Sequence, residues 1–139
     1  MTNKLTCFTT AIIMIVLFAG CAKEADKFTS KKSLVGTWEW EGTSGGTAFH
    51  IHATPASTGK NVDLKITSGG EYFVYTNGAL TSKGTYILET QKCIHDNTNK
   101  TWINFSSDYD FMVERLDENT LQVSDEGHDG MGSGYKRKS

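Results

Sequence analysis

The chain has 139 residues, enough for one hydrophobic core and too few for two separate ones. Its 37% hydrophobic and 22% charged residues, with 14 Gly against one Pro, exclude a disordered, collagen-like or polytopic membrane chain. The 14 Lys and Arg against 16 Asp and Glu leave a net charge of −2, with no basic excess to neutralise a phosphate backbone, so nucleic acid is excluded as the expected partner.

Residues 1–20 have the pattern of a secretory signal: a positive start at Lys4, then the apolar run Ala11-Ile12-Ile13-Met14-Ile15-Val16-Leu17-Phe18, then small residues. The apolar stretch is about a dozen residues, short of the roughly 20 that a membrane-spanning helix needs. The segment Leu17-Phe18-Ala19-Gly20-Cys21 resembles a bacterial lipobox, with Phe18 where that motif usually has Leu. This resemblance implies that the signal is cut before Cys21 and that Cys21 carries acyl chains such as palmitate, anchoring the protein to a membrane without spanning it. Each buried CH₂ contributes about 0.8 kcal/mol, so several chains hold firmly. Ala22 after the Cys resembles the pattern of outer-membrane lipoproteins, and Lys23-Glu24-Ala25-Asp26 faintly resembles a signal for display on the outer face. A plain secretory signal, with Cys21 left as a thiol, is the alternative.

With Cys7 in the signal and Cys21 lipidated, Cys93 is alone, and no intrachain disulfide is expected in the processed chain. Residues 21–33 are the lipidated Cys and a polar tether reaching roughly 20 Å. The folded domain is expected over 34–139.

From Leu34 onward, period-2 alternation punctuated by Gly, Asn and Asp recurs, and no apolar pattern at helical spacing persists over three turns. Gly36-Thr37-Trp38-Glu39-Trp40-Glu41 places both Trp on one face, and Phe49-His50-Ile51-His52-Ala53 alternates again, so the two predict a hairpin with Glu39 opposite His50. Further strands are predicted over 62–66 and 71–76, and Asn77-Gly78 then forms a two-residue turn. The pattern continues with 83–90, 102–106, 111–116, 120–124 and 134–138. Eight or nine short strands with short connections predict an all-β, antiparallel up-and-down meander closing into a barrel of about eight strands.

Gly36-Thr37-Trp38 is similar to the Gly-x-Trp signature of lipocalins, in which the Trp plugs the closed end of the barrel beneath an Arg from the end of the chain. Together with Gly84-Thr85-Tyr86, Leu121-Gln122-Val123, the closing Tyr135-Lys136-Arg137 and the lipobox, it resembles the small lipocalin-like lipoproteins of Gram-negative bacteria. The resemblance implies that Arg137 lies over Trp38 and that the barrel binds a small hydrophobic ligand. The chain is short for the better-known lipocalins, and it lacks their evident disulfide and late helix. Trp40, Phe49, Ile51, Leu64, Tyr86 and Trp102 are the expected wall residues. Tyr72 to Tyr75 carry aromatics on both faces of one strand, more than one core needs.

The remaining candidates favour binding over catalysis. His50 and His52 share a strand face and could chelate a metal, but the alternating Phe49, Ile51 and Ala53 need the interior, which leaves the histidines on a solvated face. Cys93 and His95, two apart, stand about 7 Å from each other on a strand, too far for a nucleophilic dyad. Asp125 to Gly130 imitates a calcium loop without the full oxygen ligand set. No hydrolase elbow, phosphate loop or zinc-protease motif occurs, so neither an enzyme, a metal nor a cofactor is expected. The alternative function is a non-catalytic interaction module, an accessory subunit or inhibitor contacting an envelope protein or glycan through loops such as 43–46 and 125–133.

Overall fold

The computed structural model describes residues 34–107 and 109–139, apart from the side chain of Phe49. The expected signal, Cys21 and the tether lie outside the described residues. The alternating segments form nine strands: β1 (Gly36–Gly45), β2 (Ile51–Ala53), β3 (Val62–Ile66), β4 (Glu71–Thr76), β5 (Ala79–Lys92), β6 (Asn99–Phe105), β7 (Tyr109–Leu116), β8 (Thr120–Ser124) and β9 (Met131–Arg137). All pairings are antiparallel, and β9 returns to β1 from Trp38↔Arg137 to Gly45↔Met131, so the meander closes into a barrel. Eight strands make that barrel. The ninth, β2, is an addition on the far end of β1.

The extra strand arises because β1 changes partner along its length. Gly36 to Glu39 pair with β3, whereas Thr43 to Gly45 pair with β2. The expected hairpin register is therefore corrected: Glu39 faces Asp63, Ser44 faces His52, and His50 precedes the strand. The cause is local backbone geometry. Gly46 and Ala48 have φ of 76° and 57°, which bend Thr47–Phe49 into a short 3-10 turn and shorten the second strand.

A one-turn helix, α1 (Pro55–Thr58), links β2 to β3, and it is too short to leave a periodic signal in the sequence. Its capping is legible nonetheless: Thr54 accepts from the Ser57 N–H, Pro55 opens the turn, and Gly59 ends it in the left-handed region. Asn77 and Gly78 have φ of 52° and 81°, as the predicted turn between β4 and β5 requires.

One end of the barrel is plugged. Trp38 is 0% exposed, and its indole N–H donates to the Leu34 carbonyl at 2.8 Å. Arg137, opposite Trp38 in the ladder, lies 4.0 Å from the indole centroid and donates from Nη1 to the Val35 carbonyl at 2.9 Å. Gly36 makes the space for this cover, since a Cβ there would stand 2.3 Å from Arg137 Nη1. Leu34, Ile66, Leu116, Leu121, Val113 and Tyr86 belong to the core around the plug. Apolar burial holds the fold: none of the described buried residues is charged, and Cys93 is a free thiol.

The turn from β7 to β8 is organised by one carboxylate. Asp117 accepts the backbone N–H groups of Asn119 and Thr120 and pairs with Arg115 at 2.7 Å. The Asn119 N–H above all, with Thr120 and Arg115, holds its pKa below the ordinary carboxylate value against the opposing effect of desolvation. Its contribution to stability is therefore complete above the unfolded carboxylate pKa and is lost as pH falls through the lower folded value. Carbon-detected NMR titration should find Asp117 among the last carboxyls to protonate, and a midpoint at or above the ordinary value would refute the assignment.

Candidate functional site

Beyond the plug the inward side chains do not meet, and they line a cavity of about 330 Å³ that opens to solvent. Its apolar wall includes Leu64, Val74, Ile103, Phe111 and Val123, from five different strands. This follows from alternation: on β3, Leu64 points in between the exposed Lys65 and the half-buried Asp63, and on β6, Ile103 points in between Trp102 and Asn104. A volume near 300 Å³ lies at the small end of the range for ligand pockets.

The polar atoms of the wall come from Tyr72, Ser82, Ser107, Tyr109 and Tyr135. Among the described residues, no Lys, Arg, His, Asp or Glu lines the cavity. Tyr109 is 65% exposed and marks the mouth, whereas Tyr72 is 3% exposed. Burial raises the pKa of the Tyr135 phenol, and the Ser133 hydroxyl partly offsets this.

Tyr72 is positioned by its neighbours. It pairs with Gly84 of β5, where a Cβ would stand 2.8 Å from Tyr72 Cε1 and 2.3 Å from Ser106 Oγ, so only glycine lets the ring lie over that strand. Phe105 meets the ring edge-on at 4.7 Å. Hydroxyls of Ser107, Ser82 and Ser106 gather around the phenol and hold its pKa below the ordinary value, against the opposite effect of burial. The Tyr72 hydroxyl is buried, and no hydrogen bond of good geometry satisfies it. Ser106 Oγ instead accepts the Thr85 N–H at 3.0 Å. Leaving such a hydroxyl unsatisfied costs about 1–3 kcal/mol.

The expected wall residues are not brought together. Leu64 lines the cavity. Trp40 is buried off the cavity, its indole N–H donating at 2.9 Å to Thr43 Oγ1, which meets Ser133 Oγ at 2.7 Å. Tyr86 is buried toward the β3–β4 turn, where its hydroxyl donates to the Thr67 carbonyl at 2.9 Å and burial raises its pKa. Ile51 lies on β2 and is 42% exposed. Trp102 points away from the cavity, because its neighbour Ile103 points in, and packs with Met112 and Cys93 in a separate cluster. Phe49 falls in the 3-10 turn, and its side chain lies outside the described residues. The physical reason for the correction is that alternation groups residues by face without saying which face is concave.

The other candidates are held by different contacts. His50 and His52 are exposed. Cys93 is buried just after β5, and His95 meets His128 edge-on, with ring centroids 5.4 Å apart. Asp125 Oδ1 accepts the backbone N–H groups of Met131 at 2.9 Å and Gly127 at 3.3 Å, so it shapes its own loop. Among the described residues, no group of three or more His, Cys, Asp or Glu is placed to hold a metal ion.

Comparison of the chain with known protein families, with curated proteins and with solved structures finds no match.

Proposed function

We propose that this protein is a lipocalin-like lipoprotein, anchored through Cys21 to the outer membrane, that binds or carries a small hydrophobic ligand without catalysing a reaction. The single observation that carries the binding reading is the apolar cavity of about 330 Å³ inside a closed barrel. A barrel serving only as a rigid support for interacting loops gains nothing from that void, since unfilled space forfeits packing contacts. The plug of Trp38 under Arg137 supports the same reading by closing one end of the barrel. The anchoring part rests on the lipobox-like segment ending at Cys21.

The binding test is native mass spectrometry of the protein purified from its own envelope, before and after denaturation. A retained small-molecule mass is expected, and Val74→Phe, which projects a ring into the cavity, should reduce its occupancy by about tenfold or more while keeping the barrel. A bare protein mass in both samples would overturn the carrier reading. Anchoring is tested by Cys21→Ser, which is expected to give an unprocessed or soluble product; unchanged membrane fractionation would refute it.

A further inference from the structure

We infer that the cavity selects a neutral apolar molecule bearing one hydrogen-bonding oxygen, an alcohol, phenol or ketone, in preference to a hydrocarbon or a carboxylate. The inference rests on the binding reading above and concerns which chemical class that site takes.

Three observations carry it. The Tyr72 hydroxyl is buried and unpartnered, and the ring that bears it lines the cavity. Ser82 and Ser107 line the same space, and their hydroxyls adjoin the phenol. A ligand oxygen at this point completes the bond that the protein leaves open, either accepting from the phenol or donating to it. A hydrocarbon fills the volume but leaves Tyr72 as it is.

The third observation is that, among the described residues, no cationic side chain lines the wall. A carboxylate entering this cavity gives up its water and finds hydroxyls alone, with no opposite charge to hold it ionised. Arg137, at the plugged end of the barrel, has its guanidinium over Trp38 and against the Val35 carbonyl, and it does not line the cavity. Volume sets the size. A cavity of about 150 Å³ accommodates benzene, so one near 330 Å³ suits a molecule of roughly a dozen non-hydrogen atoms.

The test titrates the purified protein, freed of endogenous ligand, with naphthalene, naphthol and naphthoate at neutral pH, following probe fluorescence. These share one ring system and differ in the head group. Naphthol is expected to bind about fivefold or more tighter than naphthalene, and naphthoate weakest of the three. Tyr72→Phe should bring naphthol down to the naphthalene level and leave naphthalene unchanged. Ser82→Ala, a smaller change on the same wall, should narrow the difference in part and serves as the second variant if Tyr72→Phe does not fold. Equal binding of naphthoate and naphthol, or equal weakening of naphthalene and naphthol in the variants, would overturn this inference while leaving the carrier reading intact. Failure of all three probes to bind would overturn both.

Discussion

Trp38→Ala is expected to remove a large share of the stability of the domain. The side chain is 0% exposed, its indole N–H is committed to the Leu34 carbonyl, and the Arg137 guanidinium lies over its ring. Truncating a buried Trp costs about 3–5 kcal/mol, against a total of roughly 5–15 kcal/mol for a domain of this kind. The thermal transition should fall by about 15 °C or more. The loss is not confined to packing. Without the ring, Arg137 keeps its bond to the Val35 carbonyl but has no surface to cover, and the side-chain packing between the start of β1 and the end of β9 is lost. Arg137→Met alone should cost less, because a long apolar chain still covers the indole, and the double variant should reveal a coupling of about 1 kcal/mol. A drop of less than about 5 °C in Trp38→Ala would show that the barrel end closes without its plug.

The plug was legible because it depends on two ends of the chain with short, distinctive patterns. Gly36-Thr37-Trp38 and Tyr135-Lys136-Arg137 meet across the closing ladder, and the space at Gly36 explains why a glycine stands two residues before the Trp. The Asn77-Gly78 turn was legible for a similar reason, since both positions need positive φ. The cavity wall was not. Trp102 and Leu64 are both large apolar residues on alternating strands, yet one packs away from the cavity against Met112 and Cys93 and the other faces the cavity. Only the closed sheet distinguishes the two. Tyr72 stood out as one of too many aromatics on a strand, but its importance comes from the missing Cβ of Gly84 opposite and from serines on β5 and in the β6–β7 turn. That is a relation among distant segments, and no local pattern encodes it. The register of β2 escaped for the opposite reason, because left-handed Ala48 is a local irregularity that alternation does not announce.

The mouth end of the barrel makes a separate demand on the backbone, and Gly45→Ala is expected to disrupt it. Gly45 is the residue where β1 carries Ile51 of β2 on one edge and Met131 of β9 on the other. Its φ is 137°, in the region that favours glycine, and a Cβ there would stand 2.2 Å from the Gly130 carbonyl oxygen and 2.9 Å from Met131 Cα. Both obstacles are backbone atoms, so no side-chain rotation relieves the clash. Either β9 moves away or β1 twists, and both break the Gly46 N–H to Gly130 carbonyl bond at 3.3 Å. Strain and displacement together should cost about 2–5 kcal/mol. Gly134→Ala supplies the contrast, since it lies on the same β9 strand with nothing within 4 Å of its Cβ position and should be close to neutral. In Gly45→Ala, hydrogen exchange should quicken first at the amides of Met131 to Gly134, where β9 leaves β1, before it reaches the strands around Trp38. Equal stability and equal exchange in the two variants would show that the β1–β9 seam tolerates a side chain at the rim, and closure would then depend on the plugged end alone.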